Sequence, residues 1–211
     1  MRAFNVVGVI EGRDPKLKDE IVVLGAHYDH LGADKDGNIF FGADDNASGV
    51  GVLLETASKL SYFKDQFKRT IIFAAFGAEE WGLLGSHFFT ANPIFPDKKI
   101  VSMINIDSIG KGDPSKVWVI GSSFYPELGN VPVRYMKEFG LLEGDNIDKH
   151  SFKYGSDHYP FHLKGIPAID LFSTNYRDLH QLTDTWEKID SKKVEKINKL
   201  VFMTVYDLAT K

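Results

Sequence analysis

Short apolar runs rich in β-branched and aromatic residues alternate along this chain with longer segments whose apolar residues recur at helical spacing. Such an alternation is typical of layered α/β folds, in which helices cover a largely buried sheet. The runs that predict strands are residues 4–10, 21–25, 70–76, 100–106, 116–120 and 168–172. The segments that predict helices are residues 47–60, 126–139 and 191–209. The charged stretch at residues 11–20 is expected to form a hairpin loop.

Length and composition limit the classes of protein to which the chain can belong. With 211 residues, 43% of them hydrophobic, it can build one sizeable core, and we predict a single domain over residues 1–211. The 29 acidic and 25 basic residues leave a net charge of -4 and no basic stripe, so nucleic acid is not an expected partner. No apolar run approaches the roughly 18 residues that a membrane span needs, and the N-terminus lacks signal-peptide features.

Acidic and imidazole side chains follow the predicted strands at the points where the strands end. Ligands of open α/β sheets gather outside the carboxyl ends of the strands, so these side chains are expected to meet at one rim. They are His27, Asp29 and His30 in VVLGAHYDHLG, Asp44 and Asp45 in FFGADDNASGVG, Glu79 and Glu80 in AEEWGLLGS, Asp107 in SMINIDSIG, and His180 in DLHQLTDT. A lone acid or histidine is more often a turn or cap residue, but five such positions together favour a functional site.

The types of side chain in this set favour a metal site. Imidazole nitrogen and carboxylate oxygen suit zinc in a catalytic site, or two metals that share a carboxylate, and the chain has no cysteine to supply thiolate. The sequence lacks a G-x-S-x-G nucleophile turn and a Gly-rich phosphate loop ending in Lys-Ser or Lys-Thr. A glycosidase would need only two acids and would leave the histidines unexplained.

The adjacent carboxylates of Glu79 and Glu80 can have separate tasks. Successive side chains of an extended segment point to opposite sides, so neighbours do not normally serve the same ligand position. One glutamate can bind a metal while the other takes a proton from the attacking water and returns it to a leaving amine. Two cations nearby would offset the like-charge repulsion within the pair.

Taken together, these motifs resemble the co-catalytic di-zinc exopeptidase family, which includes bacterial leucine-type aminopeptidases, glutamate carboxypeptidase and glutaminyl cyclase. The resemblance runs from about residue 6 to residue 185. It implies a three-layer α/β sandwich with a mixed, mostly parallel central sheet flanked by helices. It also implies two zinc ions per chain, roughly 3.5–4 Å apart.

The resemblance further implies a role for each matching residue. The implied metal ligands are His27, Asp45 and Asp107 for one zinc and Asp45, Glu80 and His180 for the other, so that Asp45 bridges the two ions. Asp29 is implied as the acid that orients the first histidine, and Glu79 as the general base. Asp44 is not implied as a ligand.

The function implied by the resemblance is that of a zinc-dependent aminopeptidase. A hydroxide bridging the two zinc ions would attack the first peptide bond of a substrate with a free N-terminus, with Glu79 transferring the proton. The resemblance leans toward a secreted or periplasmic enzyme whose export signal is absent from this sequence, with a cytoplasmic enzyme as the alternative. The oligomeric state is left open.

The sequence departs from the family pattern at one position near the site. The family usually carries Tyr directly before the last histidine, where its hydroxyl can stabilise an oxyanion, but Leu179 stands there and Tyr176 is the nearest substitute. Three alternatives to an aminopeptidase stay open: a carboxypeptidase or dipeptidase of the same fold, a single-zinc glutaminyl cyclase, and a binding module without catalysis. The first would need an Arg cluster, and the rim segments carry only Arg177.

Several other residues are predicted to have structural roles. His30 is expected to lie behind the ligands or at the rim, and Asp157 to cap a short helix. Trp81, Phe88 and Phe89 are expected in the core. The remaining histidines are not expected to bind metal, and they are His87, His150, His158 and His162.

Overall fold

The structure is a computed structural model that describes residues 3–144, 155–174 and 176–211. His150 lies outside these ranges. Within them, no helix combines the length and the apolar character needed to cross a membrane.

The described strands form a large sheet and a small hairpin. They are β1 (Val6–Ile10), β2 (Glu20–His27), β3 (Gly32–Ala33), β4 (Ile39–Phe40), β5 (Thr70–Phe76), β6 (Lys99–Asp107), β7 (Lys116–Ile120), β8 (Leu142–Glu143) and β9 (Ala168–Phe172). The large sheet has the order β1-β5-β2-β6-β9-β7-β8, while β3 pairs with β4. Strands β5, β2, β6 and β9 are parallel, whereas β1 and β7 run antiparallel to β5 and β9. The predicted mixed, mostly parallel sheet is thus confirmed.

Helices cover both faces of this sheet. They are α1 (Gly49–Ser61), α2 (Leu84–Ala91), α3 (Pro126–Met136), α4 (His158–Leu163) and α5 (Ser191–Thr210). Apolar side chains of α1, α3 and α5 share one core, and those of α2 and α4 share the other. The carboxylate of Asp190 caps α5 by accepting hydrogen bonds from the N–H groups of Lys192 and Lys193. The predicted three-layer α/β arrangement is therefore confirmed.

Alternate residues of the central strands point into the two cores. On β5, Ile71 and Phe73 join the core beneath α1 and α5, whereas Ile72 and Phe76 join the core beneath α2 and α4. Both faces of the strand are therefore apolar, which is why the sequence shows a continuous apolar run rather than an alternating one.

The segment at residues 11–20 is not a hairpin loop, which corrects the sequence-based prediction. Strand β5 lies between β1 and β2, so the two consecutive strands are not neighbours. Both edges of β2 are occupied by parallel partners, β5 and β6, and β1 pairs instead with the free edge of β5. The connecting segment passes the start of β5, where the N–H of Gly12 donates to Thr70 Oγ1.

Two of the three aromatic residues predicted to lie in the core are exposed. Trp81, in the turn after β5, is 66% exposed and Phe88 on α2 is 64% exposed, whereas Phe89 is only 4% exposed. Neighbouring residues on a helix point about 100° apart, so both phenylalanines of the pair cannot face the sheet. The core prediction is confirmed for Phe89 and wrong for the other two.

Replacing Phe89 by alanine is expected to lower the free energy of unfolding by about 3–5 kcal/mol, because the buried ring packs within an apolar core. The ring centre of Phe89 lies 5.7 Å from that of Phe76 and 5.8 Å from that of Phe161. Phe88→Ala on the same helix is the matched control and is expected to change stability by no more than about 0.5 kcal/mol. Urea denaturation of both variants measures the difference, and equal losses would contradict this packing.

Candidate metal centre

The predicted site residues meet at the edge of the sheet where the parallel strands end. Because β2, β5, β6 and β9 run parallel, their carboxyl ends share one edge, and residues distant in sequence are brought together there. The segments that follow β4 and β9 reach the same edge. The residues assembled are His27 at the end of β2, Asp45 between β4 and α1, Glu79 and Glu80 after β5, Asp107 at the end of β6, and His180 after β9.

One group of possible ligand atoms comes from His27, Asp45 and Asp107, which are all buried. His27 Nε2 lies 3.2 Å from Asp45 Oδ1 and 3.5 Å from Asp107 Oδ1. The other ring nitrogen, Nδ1, is 3.1 Å from the carbonyl oxygen of Asp29, which leaves Nε2 facing the carboxylates. One imidazole and two carboxylates at these distances are a donor set that suits zinc.

A second group lies on the other side of Asp45. His180 Nε2 is 3.2 Å from Asp45 Oδ2 and 3.1 Å from Glu80 Oε2. His30 also enters this group, with Nδ1 2.7 Å from Glu80 Oε1 and 3.6 Å from Asp45 Oδ2. The side chain of His180 is 49% exposed and that of His30 only 8% exposed. The sequence-based interpretation kept His30 out of the ligand set, whereas the structure puts its ring among the ligand atoms.

The carboxylate of Asp45 faces both groups at once. Its Oδ1 points toward His27 and its Oδ2 toward His180. The next residue anchors this segment: the side-chain amide of Asn46 donates to the carbonyl of Ile106 at 2.9 Å, and the Asp45–Asn46 peptide bond is cis. The backbone at Asp45 and Asn46 is not helical, so α1 begins only at Gly49, slightly later than predicted.

The glutamate pair divides between the two sides of the site. Glu80 belongs to the second group, whereas Glu79 Oε2 is 4.0 Å from His27 Nε2 and lies outside both groups. The carboxylate of Asp29 accepts hydrogen bonds from the N–H of Glu79 at 3.0 Å and of Glu80 at 3.3 Å. Its Oδ1 is 3.8 Å from His27 Nδ1. The carboxylate of Asp29 therefore holds the backbone of the glutamate pair. The backbone carbonyl of Asp29 lies closer to the His27 ring than its carboxylate does.

Buried negative charge dominates the electrostatics of the site. Burial raises the pKa of Glu79 to about 9, an effect that His27 opposes and Asp107 and Glu80 increase. Burial likewise raises the pKa of Asp45. Burial alone would lower the pKa of His27, but the surrounding carboxylates raise this pKa well above its usual value. Ionising these neighbouring carboxylates together is unfavourable unless cations lie among them, so the site favours positive ions.

Buried ring nitrogens and carboxylate oxygens support the same conclusion. Among the residues that the structure describes, His27 Nε2, both ring nitrogens of His30 and Glu80 Oε1 make no hydrogen bond of good geometry, although His30 Nδ1 and Glu80 Oε1 lie only 2.7 Å apart. Buried polar atoms normally have partners, and exceptions need an explanation. Metal ions would supply it, because zinc takes imidazole nitrogen and carboxylate oxygen as ligands. The residues therefore fit a metal centre.

Residues in or beside the ligand set adopt backbone conformations that side chains rarely take. Ala78 has φ of 58°, Ser108 of 49° and His180 of 57°, all in the left-handed region. Ala78 directly precedes Glu79 and Ser108 directly follows Asp107. His180 is itself a proposed ligand. Such conformations persist only where the surrounding structure imposes them, and they cluster at functional sites.

A cavity of about 450 Å³ opens over the two groups. Acidic residues of the two groups make up one part of its lining, the acidic wall, and Ile120, Phe172, Tyr176 and Leu179 make up another part, the apolar wall. The ring centre of Tyr176 is 5.4 Å from that of Phe172. The cavity can therefore hold an apolar side chain next to the ligand atoms.

The residues of α4 lie close to the site but do not join it. Asp157 precedes the helix as predicted but makes no capping hydrogen bond; instead its carboxylate accepts one from Ser86 Oγ at 2.5 Å. Tyr125 Oη lies 2.7 Å from His162 Nδ1. Within the described ranges, neither His158 nor His162 belongs to a group of possible metal-ligand atoms.

The sequence of this chain is similar to those of known peptidases. The sequence model of peptidase family M28 matches residues 5–205. Aminopeptidase YwaD of Bacillus subtilis (strain 168) is 29% identical over 218 residues, which cover 98% of this chain and 45% of that protein. Leupeptin-inactivating enzyme 1 of Streptomyces exfoliatus is 31% identical over 171 residues, covering 81% of this chain and 36% of that enzyme.

Similarity extends to solved structures. The structure of BSAP, a zinc aminopeptidase from Bacillus subtilis, superimposes with a TM-score of 0.78 at 27% identity, covering 98% of this chain and 50% of that one. The chain thus spans half or less of the length of these relatives.

Proposed function

Because the chain belongs to peptidase family M28, we propose that it is a zinc-dependent aminopeptidase that hydrolyses the first peptide bond of peptides with a free N-terminus. The observation that carries the proposal is the position of Asp45, whose two oxygens face two separate groups of ligand atoms. A shared carboxylate is the expected device for holding two catalytic metal ions side by side.

The two groups of donor atoms support a proposed set of ligands for each ion. The first zinc would be held by His27, Asp45 and Asp107. The second would be held by Asp45, Glu80 and His180, whose Nε2 is 3.2 Å and 3.1 Å from the two carboxylates. When bound, zinc ions supply Lewis acidity that activates water and polarises a carbonyl group. The ring of His30 would lie against the second ion and compete with the more exposed His180 for it.

The chain's own residues would handle the proton and orient the substrate. Glu79 stands beside the first group without belonging to it. Cations bound in the two groups would lower its raised pKa, so that its carboxylate can take a proton from water and pass it to the departing amine. Asp29 fixes the backbone of that glutamate. The free amine of the substrate would be held by the acidic wall of the cavity, and its first side chain by the apolar wall at Ile120 and Phe172.

Metal content and exopeptidase activity together test the proposal. After zinc loading and gel filtration, elemental mass spectrometry is expected to find two zinc ions per chain, and leucine p-nitroanilide is expected to be hydrolysed. The N-acetylated anilide is the matched control and is expected to resist, because it has no free amine for the acidic wall. Chelation should stop hydrolysis and added zinc should restore it. Hydrolysis of both anilides would contradict an aminopeptidase, and one zinc with cyclisation of N-terminal glutamine would favour a cyclase.

A further inference from the structure

A buried ion pair lies directly beneath the proposed metal centre. Lys111 Nζ donates to Asp184 Oδ1 at 2.5 Å, and the two side chains are only 3% and 1% exposed. Neither residue is a proposed ligand, and neither touches the cavity. We propose that Lys111, acting through Asp184, positions two of the metal ligands, and this inference rests on the proposed zinc site.

The first contact runs from Asp184 to the segment that carries Asp45. The carboxylate of Asp184 accepts hydrogen bonds from the N–H of Asp44 at 3.0 Å and from the N–H of Asp45 at 3.1 Å. These bonds fix the backbone from which the bridging carboxylate projects. Hydrogen bonds to an ionised acceptor are stronger than neutral ones, so the charge on Asp184 matters for this anchoring.

The second contact runs from Lys111 to the segment that carries His180. Lys111 Nζ is 3.6 Å from Asp178 Oδ2, two residues before this histidine, while Asp184 stands four residues after it. One ammonium group therefore holds both ends of the segment. This segment needs an external anchor, because His180 itself is half exposed and has a left-handed backbone.

Lys193, a second buried lysine close to Lys111, does not duplicate the pairing of Lys111 with Asp184. Lys193 is also buried, but its Nζ donates to the carbonyl oxygens of Lys111 and Ser173 rather than to a carboxylate. Loss of the Lys111 ammonium would leave Asp184 buried beside Asp44 without its counter-ion. A buried charge that loses its partner is strongly unfavourable. Because the segments that carry the ligands are attached to this carboxylate, the change is expected to displace them.

The test compares zinc affinity across three variants of the whole chain. Lys111→Met removes the ammonium and keeps the apolar stem, and is expected to weaken zinc binding by about 10–100-fold, the range seen when partners behind metal ligands are removed. Lys111→Arg keeps the charge and is expected to recover most of the affinity. Lys188→Met is the matched control, because Lys188 pairs with the same Asp178 at 2.6 Å from the solvent side. It is expected to change affinity less than about threefold, as exposed ion pairs contribute little.

Competition with a chromogenic chelator measures the affinities, and circular dichroism confirms that each variant is folded. Should Lys111→Met fail to fold, Asp184→Asn removes the other charge at nearly constant shape and is expected to show the same loss of affinity. Wild-type affinity in a folded Lys111→Met or Asp184→Asn variant would overturn the inference and leave the proposed function standing. Failure of the unaltered protein to bind zinc would overturn both.

Discussion

Glu79→Gln is expected to lower kcat for leucine p-nitroanilide by about 10²–10⁴-fold, the usual contribution of a general base, while both zinc ions stay bound. The amide has the size of the carboxylate but cannot accept a proton at neutral pH. Because Glu79 lies outside both groups of ligand atoms, its replacement removes no proposed ligand. Removing one of several crowded carboxylates also relieves repulsion, so the variant is expected to fold.

The neighbouring glutamate supplies the matched control for this experiment. Glu80→Gln changes the same chemical group one residue away, but Glu80 Oε2 lies 3.1 Å from His180 Nε2 in the second group. This variant is expected to lose zinc as well as activity, so elemental analysis separates the two. Full activity of Glu79→Gln would refute its role as the base, and loss of zinc from that variant would make it a ligand instead.

The elements of the fold could be predicted from the sequence because each depends on local pattern. The apolar run at residues 70–76 became β5 with its predicted bounds, since a strand buried on both faces needs apolar residues at every position. The order of the strands depends on pairing between distant segments, which local pattern does not encode. The segment at residues 11–20 shows this: it joins two strands that are consecutive in sequence but separated by β5 in the sheet.

The meeting of the proposed ligands at one edge of the sheet could be predicted because strand ends and motif spacing are visible in the sequence. His27 and Asp107 are the last residues of β2 and β6, the glutamate pair follows shortly after β5, and the parallel sheet brings them to one edge. The place of His30 could not be predicted, because it depends on how the chain turns after β2. The same holds for Lys111, whose importance comes from contacts with residues about 70 positions away. The only sequence signal for it was a lone lysine shortly after Asp107.

Asp45→Ala is expected to weaken the binding of both zinc ions by more than about 100-fold, because a shared ligand contributes to the binding of each ion. Removing it should reduce zinc affinity more than removing a residue that only supports a ligand. His180→Ala, which touches only the second group, is the control and should leave one ion tightly bound. Asp45 is buried with a raised pKa, so its removal should not unfold the protein. Isothermal titration with zinc counts the sites in each variant. If Asp45→Ala retained one site of unchanged affinity, the two groups of ligand atoms would be independent and Asp45 would not bridge them.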